Sequence, residues 1–450
     1  MASTIVRITK EIRHIQQGTD LSIAVAYRDS NIQHIKALIV GPPETPYEFG
    51  FFEFNVRLGR DYPSSPPSVT ATTTNGGRCR FNPNIYAGGK VCLSILGTWR
   101  GERPGEEWSS AQGLESILIS IQSLMSSNPY ENEPGYENKK GPDELRHQAL
   151  YVDKIRHETL RIAVIQKLEE QLGILPNGQV EPPAPAWESE IDEDVEEALE
   201  KMGDVEKTKF EPFKDLFKRR FLWYYDTYLS TIETYAKKHR DGEKFQKMEF
   251  EHGGNTMDGT YQYSDLKRRL NLIHSTIHME TERWAEEGLN AKRREVGVSA
   301  NLQRQHEQIV EAHKDKAFTI DLELASDNPF VWQITYFGKP MTHLDGGMFK
   351  IRICLSPRFP DEQPRVKVLT PIYHHRVAKD GTLCYFPKKV EEMKSHIDAI
   401  VEALEDDSPP YDPRTTVHPE AAKLYWGSAD DKKKYHRQLR RSVERSMDEC

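Results

Sequence analysis

The apolar positions near the start of the chain change from helical spacing to alternation. Ile5, Ile8, Ile12 and Ile15 recur at helical intervals, which predicts an amphipathic first helix. In residues 50–58, GFFEFNVRL, apolar and polar side chains alternate, as in a strand with one buried face. Glycine and proline clusters separate similar segments, so the pattern predicts three or four short antiparallel strands, at 21–28, 34–40, 50–58 and 68–74.

The pattern after the strands is mainly helical. Residues 113–125 predict a buried apolar helix, and a longer helical region runs from Pro142 to Leu172, with Gly173 as its stop. Residues 176–210 are rich in proline and acidic side chains, which is typical of a linker. From residue 211 to about 295 the helical pattern carries an aromatic stripe, which favours helix–helix packing over a binding face.

Beyond residue 298 the markers of the first unit recur. Gly50, Phe52, Tyr62-Pro63 and Pro67 match a later set in spacing, namely Gly347, Phe349, Phe359-Pro360 and Pro364. Both sets lead to a glycine and a cysteine, in GGKVCL around Cys92 and in DGTLCY around Cys384, and the second path is five residues shorter. Shared spacing over this length predicts a duplicated fold but not a duplicated chemistry. We expect the shortening to reshape the loop that leads to Cys384.

Charge and cysteine usage restrict the classes of function. The 450 residues carry a net charge of -9, which argues against nucleic acid as the main partner. No apolar stretch has the length of a signal peptide or a membrane span, so we expect neither. The five scattered cysteines suit a reducing compartment, either the cytoplasm or the nucleus.

Several chemistries of a lone cysteine lack supporting residues. A hydrolase-type nucleophile needs a base, and the histidines nearest to Cys92 in the sequence are His34 and His147. Zinc sites usually pair their ligands, and the chain has no CxxC, so no metal is expected. The segment HHRVAKDGTLC contains three residues that could resemble metal ligands, His374, His375 and Cys384. It lacks a fourth ligand at a usual spacing. No GxxxxGK[ST] motif supports direct nucleotide binding.

Acyl carriage fits Cys92 better. A thiol can take an acyl group from a thioester and pass it to an amine, and an asparagine amide can stabilise the oxyanion that forms. Asn84, eight residues before Cys92, could supply that amide. It could equally be a turn asparagine that bonds its own backbone, and spacing alone does not separate the two roles.

Several segments in order resemble the catalytic core of the ubiquitin-conjugating enzyme family. They are GPPETPYEFGFFEFNVRLGRDYPSSPPSV, FNPN, GGKVCLSIL, WSSAQGLESILISIQSLM and NPYENEP. GTWRGERPGEEWSS, IRHETLRIAV, RFLWYYDTY and YSDLKRRLNLI are most similar to the Z-type branch and extend the likeness to about residue 290. The resemblance implies an α+β fold, with an antiparallel four-stranded sheet and flanking helices. It divides the chain into a catalytic core (1–175), a linker (176–210), a helical extension (211–297) and a second, degenerate copy of the fold (298–450).

The resemblance also implies a role for each matching residue. Cys92 would carry ubiquitin or a ubiquitin-like modifier as a thioester, received from an activating enzyme that itself uses the ATP, so no cofactor is bound directly. Asn84 would act at the oxyanion or in the active loop. Substrate proteins and ligases would be further partners. On the first helix, the activating enzyme would contact three basic residues (Arg7, Lys10 and Arg13). We expect the Cys92 thiol to be half-exposed in a shallow groove.

The chain departs from the family pattern at several positions. Asn82 replaces the usual histidine, and Ser94 stands where an acidic residue is common. The loop that docks ligases has Ser64 and the sequence Ser109-Ser110-Ala111 in place of a bulky residue and Ser-Pro-Ala, which argues against ordinary RING ligases. The acid that steers the incoming lysine would be Glu131 or Glu133. The charged loop RGERPGEE could cover the groove.

The second copy lacks the asparagine, since Arg376 takes its place. Cys384 is therefore expected to be inactive, and the copy to bind a partner. Two hypotheses remain for the whole chain. It is either an active conjugating enzyme with an accessory copy, or a non-catalytic scaffold that uses both copies for binding.

Overall fold

The computed structural model describes residues 2–18, 20–100, 106–181, 210–293, 297–313 and 320–448. The chain forms two compact units, Met1–Lys214 with Ile232–Ile273 and Asp215–Thr231 with His274–Cys450. Most of the predicted linker and of the RGERPGEE loop lies outside the described residues. The predicted domain boundaries stay predictions.

The first unit contains the predicted helix and sheet. Helix α1 (Ala2–Gln17) precedes an antiparallel sheet of four strands in sequential order: β1 (Ile23–Arg28), β2 (Asn31–Val40), β3 (Phe51–Arg57) and β4 (Ser68–Ala71). Three helical segments follow, α2 (Leu114–Ser123), α3 (Pro142–Glu158) and α4 (Lys167–Leu172), with a π-helical stretch between the last two (Thr159–Gln166). Short 3-10 turns occur at Ser94–Leu96 and Pro129–Asn132.

The side chains that create the sequence pattern form the core of this unit. Along β3, Phe52, Phe54 and Val56 are buried and lie in one cluster with apolar residues of α1 and α2. On α1 the apolar face begins one turn later than the spacing predicts, because Ile8, Ile12 and Ile15 are buried whereas Ile5 is 50% exposed. The alternation thus holds the helices against one face of the sheet.

Two long helices carry the aromatic stripe, α5 (Lys214–Tyr235) and α6 (Tyr263–Arg293). Phe217, Phe221, Tyr224 and Tyr228 on α5 are almost fully buried, as expected for a packing stripe. The chain between the two helices is not helical. It adds three apolar side chains to the core of the first unit, those of Met248, Phe250 and Met257.

The second unit repeats the sheet. Helix α7 (Gly297–His313) precedes four antiparallel strands, again in sequential order: β5 (Ile320–Leu324), β6 (Val331–Phe337), β7 (Met348–Cys354) and β8 (Arg365–Val368). Three helices close the unit, α8 (Met393–Glu405), α9 (Pro419–Tyr425) and α10 (Ala429–Asp448). The predicted duplication of the fold is confirmed. None of the described helices combines the length and the apolar character that crossing a bilayer requires.

Candidate active site

A tight hairpin after β4 presents Cys92 beside Asn84. The Cys92 amide donates to the Asn84 carbonyl oxygen over 2.8 Å, and the Tyr86 amide donates to the Lys90 carbonyl over 2.9 Å. Gly89 closes the turn at a φ of 88°, and a Cβ there would lie 2.6 Å from a backbone oxygen of β4. Only glycine fits this position without a shift of the chain, which explains the glycine turn before the cysteine.

The Cys92 residue is only 4% exposed, so the expectation of a half-exposed thiol was wrong. Val91 on one side and Ile95 and Leu96 on the other belong to the core, which holds Cys92 close to the sheet. The Tyr86 side chain lies near the thiol. Burial and then the nearby thiol raise the pKa of Tyr86 above its usual value. Sequence reasoning missed Tyr86, since its place beside the thiol follows from the hairpin geometry.

Asn84 forms a hydrogen bond with Cys92, the cysteine that it was predicted to assist. Its side-chain Nδ2 donates to the Cys92 carbonyl oxygen over 3.1 Å. An amide nitrogen carries two hydrogens, so this bond occupies one donor and leaves the second for another acceptor. The turn role and the oxyanion role are therefore compatible in one side chain.

Asn82 anchors the start of the hairpin. It is fully buried, and its Nδ2 donates to the Tyr47 hydroxyl (3.0 Å) and to the Leu124 carbonyl (2.8 Å). Its Oδ1 accepts from the Asn84 amide (2.9 Å) and from the Asn132 side chain (3.3 Å). All four bonding positions of the side chain are used, so Asn82 fixes the backbone from which Asn84 projects.

The two predicted acidic residues differ in position. Glu133 pairs with the Arg80 guanidinium at 3.2 Å, and Arg80 also donates to the Pro83 carbonyl over 2.5 Å. The guanidinium lies 4.6 Å from the centre of the Tyr86 ring, so it connects Glu133 with the residue beside the thiol. Glu131 is exposed and apart from this network.

The predicted basic residues of α1 also differ. Arg7 donates to Glu11 over 2.7 Å and to the Gln112 carbonyl over 2.6 Å, so it is engaged in holding α1 to the start of α2. Lys10 and Arg13 are exposed. The structure therefore leaves two of the three residues accessible to a partner.

A segment that sequence reasoning did not connect with the site contacts the hairpin. The side-chain oxygen of Asn255 accepts from the Ala87 amide over 3.2 Å. Phe250 packs edge-on against Tyr130 and Tyr151 at ring separations of 5.3 and 5.4 Å. These contacts join positions far apart in the chain, and no local pattern indicates them.

The second copy repeats the hydrogen bonds of the first hairpin. The Cys384 amide donates to the Arg376 carbonyl over 2.9 Å, as Cys92 does to Asn84. The Arg376 amide donates to His374 Nδ1 over 3.1 Å, as the Asn84 amide does to Asn82. The five missing residues fall between β8 and His374, so the shortening changes the connection that precedes the hairpin and not the hairpin itself.

The second thiol is enclosed. Cys384 has no exposed surface, and burial raises its pKa to about 11 even though the neighbouring Arg376 acts in the opposite direction. Helix α8 begins at Met393, nine residues after this cysteine, whereas α2 begins at Leu114, much later after Cys92.

Comparison with known proteins identifies the family. The family model described as ubiquitin-conjugating enzyme matches residues 7–159 and again residues 302–442, so it covers most of both units. The chain belongs to the ubiquitin-conjugating enzyme family. Both matched ranges include the hairpin and its cysteine.

Known members of the family match parts of the chain. The chain is similar to ubiquitin-conjugating enzyme E2 Z of Homo sapiens, with 36% identity over 273 residues, or 61% of this chain and 63% of that protein. A stretch of 150 residues, 33% of this chain, is 45% identical to 3% of the human dual E2 ubiquitin-conjugating enzyme/E3 ubiquitin-protein ligase BIRC6. A solved ubiquitin conjugating enzyme domain of Toxoplasma gondii covers 35% of this chain and 98% of its own, with 27% identity and a TM-score of 0.27.

The departures from the usual pattern of ubiquitin-conjugating enzymes have structural counterparts. Asn82 and His374 both accept the same backbone amide in their own hairpins, so asparagine can replace the histidine as an anchor. The positions that the resemblance assigns to ligase docking, Ser64 and Ser109-Ser110-Ala111, are exposed. Trp108 beside them donates from Nε1 to the Pro63 carbonyl over 2.8 Å, which connects the two loops that carry these positions.

Proposed function

We propose that the first unit accepts ubiquitin or a ubiquitin-like modifier from an activating enzyme as a thioester on Cys92. The unit then passes the modifier to a lysine of a substrate or to a ligase. The observation that carries this proposal is the hairpin, which holds the Asn84 amide and the Cys92 backbone in hydrogen-bonding contact. ATP is consumed by the activating enzyme, and the reaction itself needs no bound cofactor. The cytoplasm or the nucleus would supply the reducing conditions that keep the thiol free.

The two steps of the proposed reaction exchange one acyl bond for another. In loading, Cys92 Sγ loses its proton and attacks the thioester carbonyl of the modifier, and the thiol of the activating enzyme leaves. In discharge, a lysine amine attacks the new thioester, loses a proton and releases the Cys92 thiolate. Both steps place negative charge on the carbonyl oxygen, which the second N–H of Asn84 Nδ2 would stabilise. The Tyr86 hydroxyl would donate to the departing sulfur.

A second candidate function is a non-catalytic scaffold that uses both copies for binding. The specific observation in its favour is the burial of both thiols, since Cys92 is 4% exposed and Cys384 is fully buried. Loading requires Cys92 Sγ to become accessible, and Tyr86 is a side chain near it. A scaffold would need no such movement.

Incubation with activating enzyme, ATP and ubiquitin, followed by a non-reducing gel, separates the two functions. The enzyme should give an adduct that a thiol reagent removes. Cys92→Ser should give an oxyester that resists thiols and is cleaved by hydroxide, or no adduct, and Cys92→Ala should give none. Cys79→Ala, which removes another buried thiol of the same unit (2% exposed), is the matched control and should load normally. An undiminished thioester in Cys92→Ala would exclude Cys92, and no adduct with any of several modifiers would favour the scaffold.

A further inference from the structure

Two histidines and an aspartate of the second unit bring three ligand atoms together. His274 and His278 lie one turn apart on α6, and Asp380 lies in the hairpin that leads to Cys384. His274 Nε2 and His278 Nε2 are each 3.1 Å from Asp380 Oδ2, and the two nitrogens are 3.0 Å apart. None of the three residues has a role in the proposed conjugation.

Hydrogen bonding alone does not account for this arrangement. Each histidine can donate from Nε2 to the carboxylate, but then two N–H groups face each other across the 3.0 Å that separates the nitrogens. If one histidine instead donates to the other, it no longer donates to Asp380. At most two of the three contacts can therefore be good hydrogen bonds, whereas three ligand atoms around one cation satisfy all three at once.

The distances and ligand types suit a transition metal. Zinc binds histidine nitrogen and carboxylate oxygen at about 2.0–2.2 Å, and three atoms with edges of 3.0–3.1 Å can all lie at that distance from one ion. Histidines four residues apart on one helix face are a recurrent zinc-binding arrangement. We propose that His274, His278 and Asp380 bind a divalent transition metal, with Zn²⁺ as the first candidate and water completing the coordination.

Neighbouring groups hold two of the ligands in position. The Thr382 amide donates to Asp380 Oδ1 over 2.9 Å, and its hydroxyl donates to Oδ2 over 3.0 Å. The Tyr225 ring stacks on His274 with 4.0 Å between the ring centres. Partners of this kind orient the ligands of metal sites and strengthen binding.

One group opposes a metal ion here. Lys367 Nζ lies 3.4 Å from His278 Nε2 and 3.8 Å from Asp380 Oδ2, so its charge would compete with the ion. Its side chain is 36% exposed, which allows the ammonium to turn into solvent when a metal binds. The alternative is that Lys367 itself serves as the cation of the cluster. Removal of this lysine should therefore strengthen metal binding, whereas removal of any ligand should weaken it.

A metal at this position would connect α6 to the hairpin of the second copy. Asp380 lies four residues before Cys384, and the hairpin would be held at its turn. The expected consequence is slower opening of residues 376–384 in the metal-bound protein.

The test uses the full chain after treatment with a chelator. Calorimetric titration with Zn²⁺ should give one site per chain, and Co²⁺ should give visible absorption bands of a protein-bound ion. His278→Ala and Asp380→Asn should weaken binding by about tenfold or more, and Lys367→Met should tighten it. The control is His343→Ala with His436→Ala, which removes another pair of adjacent histidines of the same unit (4.1 Å between ring centres) and should leave binding unchanged.

Three results would overturn the proposal. They are no binding at micromolar Zn²⁺ by the natural protein, unchanged binding after His278→Ala, and a loss of binding in the His343 and His436 control that matches the ligand variants. Because a ligand variant could fail to fold, His274→Gln is measured in parallel with the circular dichroism of each protein. Hydrogen exchange of residues 376–384 gives a second readout, and equal exchange with and without Zn²⁺ would contradict the proposed link to the hairpin.

Discussion

Asn84 links the geometry of the first hairpin with its proposed chemistry. Its amide donates to the Cys92 carbonyl over 3.1 Å, and its own backbone amide is fixed by Asn82 over 2.9 Å. The side chain is thus held in place by the turn before any substrate arrives. Preorganised donors of this kind stabilise an oxyanion without reorganisation during the reaction.

Replacement of this donor should slow discharge more than loading. We expect Asn84→Ala to reduce transfer from the loaded enzyme to free lysine by about 10²-fold, the usual loss for one oxyanion donor. Asn84→Asp keeps the shape but not the donor and should behave similarly. The measurement is single-turnover discharge of purified thioester, with folding checked by circular dichroism. Unchanged discharge in a folded variant would leave Asn84 with the turn role alone.

The sequence alone predicted Cys92 and Asn84 as site residues but not the groups around them. Cys92, Asn84 and the glycine turn lie within nine residues, so their spacing is visible in the chain itself. Arg80 and Tyr86 lie equally near, but their relation to the thiol depends on the direction of each side chain in the folded hairpin. The exposure of Cys92 was predicted wrongly for the same reason, since it depends on the packing of the residues on both sides.

The segment between α5 and α6 is a whole element whose position could not be predicted from the sequence. The four strands of the first sheet could be predicted from local alternation, and in the structure they are neighbours in sequence order. In contrast, residues 236–262 lack such a pattern and gain their place from distant contacts. One of these is the ion pair between Lys154 and Glu251, with 2.5 Å between Nζ and Oε1 and both residues at most 1% exposed.

The stability of the protein should fall when one partner of the buried pair is removed, and should largely recover when both are replaced. Glu251→Ala leaves Lys154 charged in a site where burial lowers the pKa of the lysine. This change should lower the free energy of unfolding by about 3–5 kcal/mol. The double variant Lys154→Met, Glu251→Leu should recover most of this loss, because neither charge remains to be desolvated.

Hydrogen exchange of residues 243–262 measures the effect on this segment. Glu249→Ala is the matched control, because Glu249 is exposed and accepts a surface hydrogen bond from the Tyr136 hydroxyl over 3.0 Å. Equal exchange in the Glu251 and Glu249 variants would show that the ion pair does not hold the segment.

At the scale of the whole molecule, the two copies share a backbone arrangement but differ in a side chain near the cysteine. Both sheets have the same strand order, and both hairpins share the bond between the cysteine amide and the residue eight positions earlier. The shared spacing of glycine and proline predicted this duplication, because those residues mark turns directly. The side chains differ at the position that we propose to assist transfer, since Arg376 stands where the first copy has Asn84.

Cys384 should therefore neither react readily nor carry ubiquitin. Burial raises its pKa to about 11, so at pH 7 only about one thiol in 10⁴ is ionised, and the thiolate is the nucleophile. In a Cys92→Ala protein, alkylation of Cys384 by iodoacetamide should be slow and should accelerate about tenfold per pH unit up to pH 10. Mass spectrometry of the Cys384 peptide, both after alkylation and after incubation with activating enzyme, ATP and ubiquitin, measures both properties.

We expect no ubiquitin on Cys384, even in Arg376→Asn, because the thiol stays buried. An adduct on Cys384 that Cys384→Ala abolishes would instead make the chain a tandem enzyme with two active thiols.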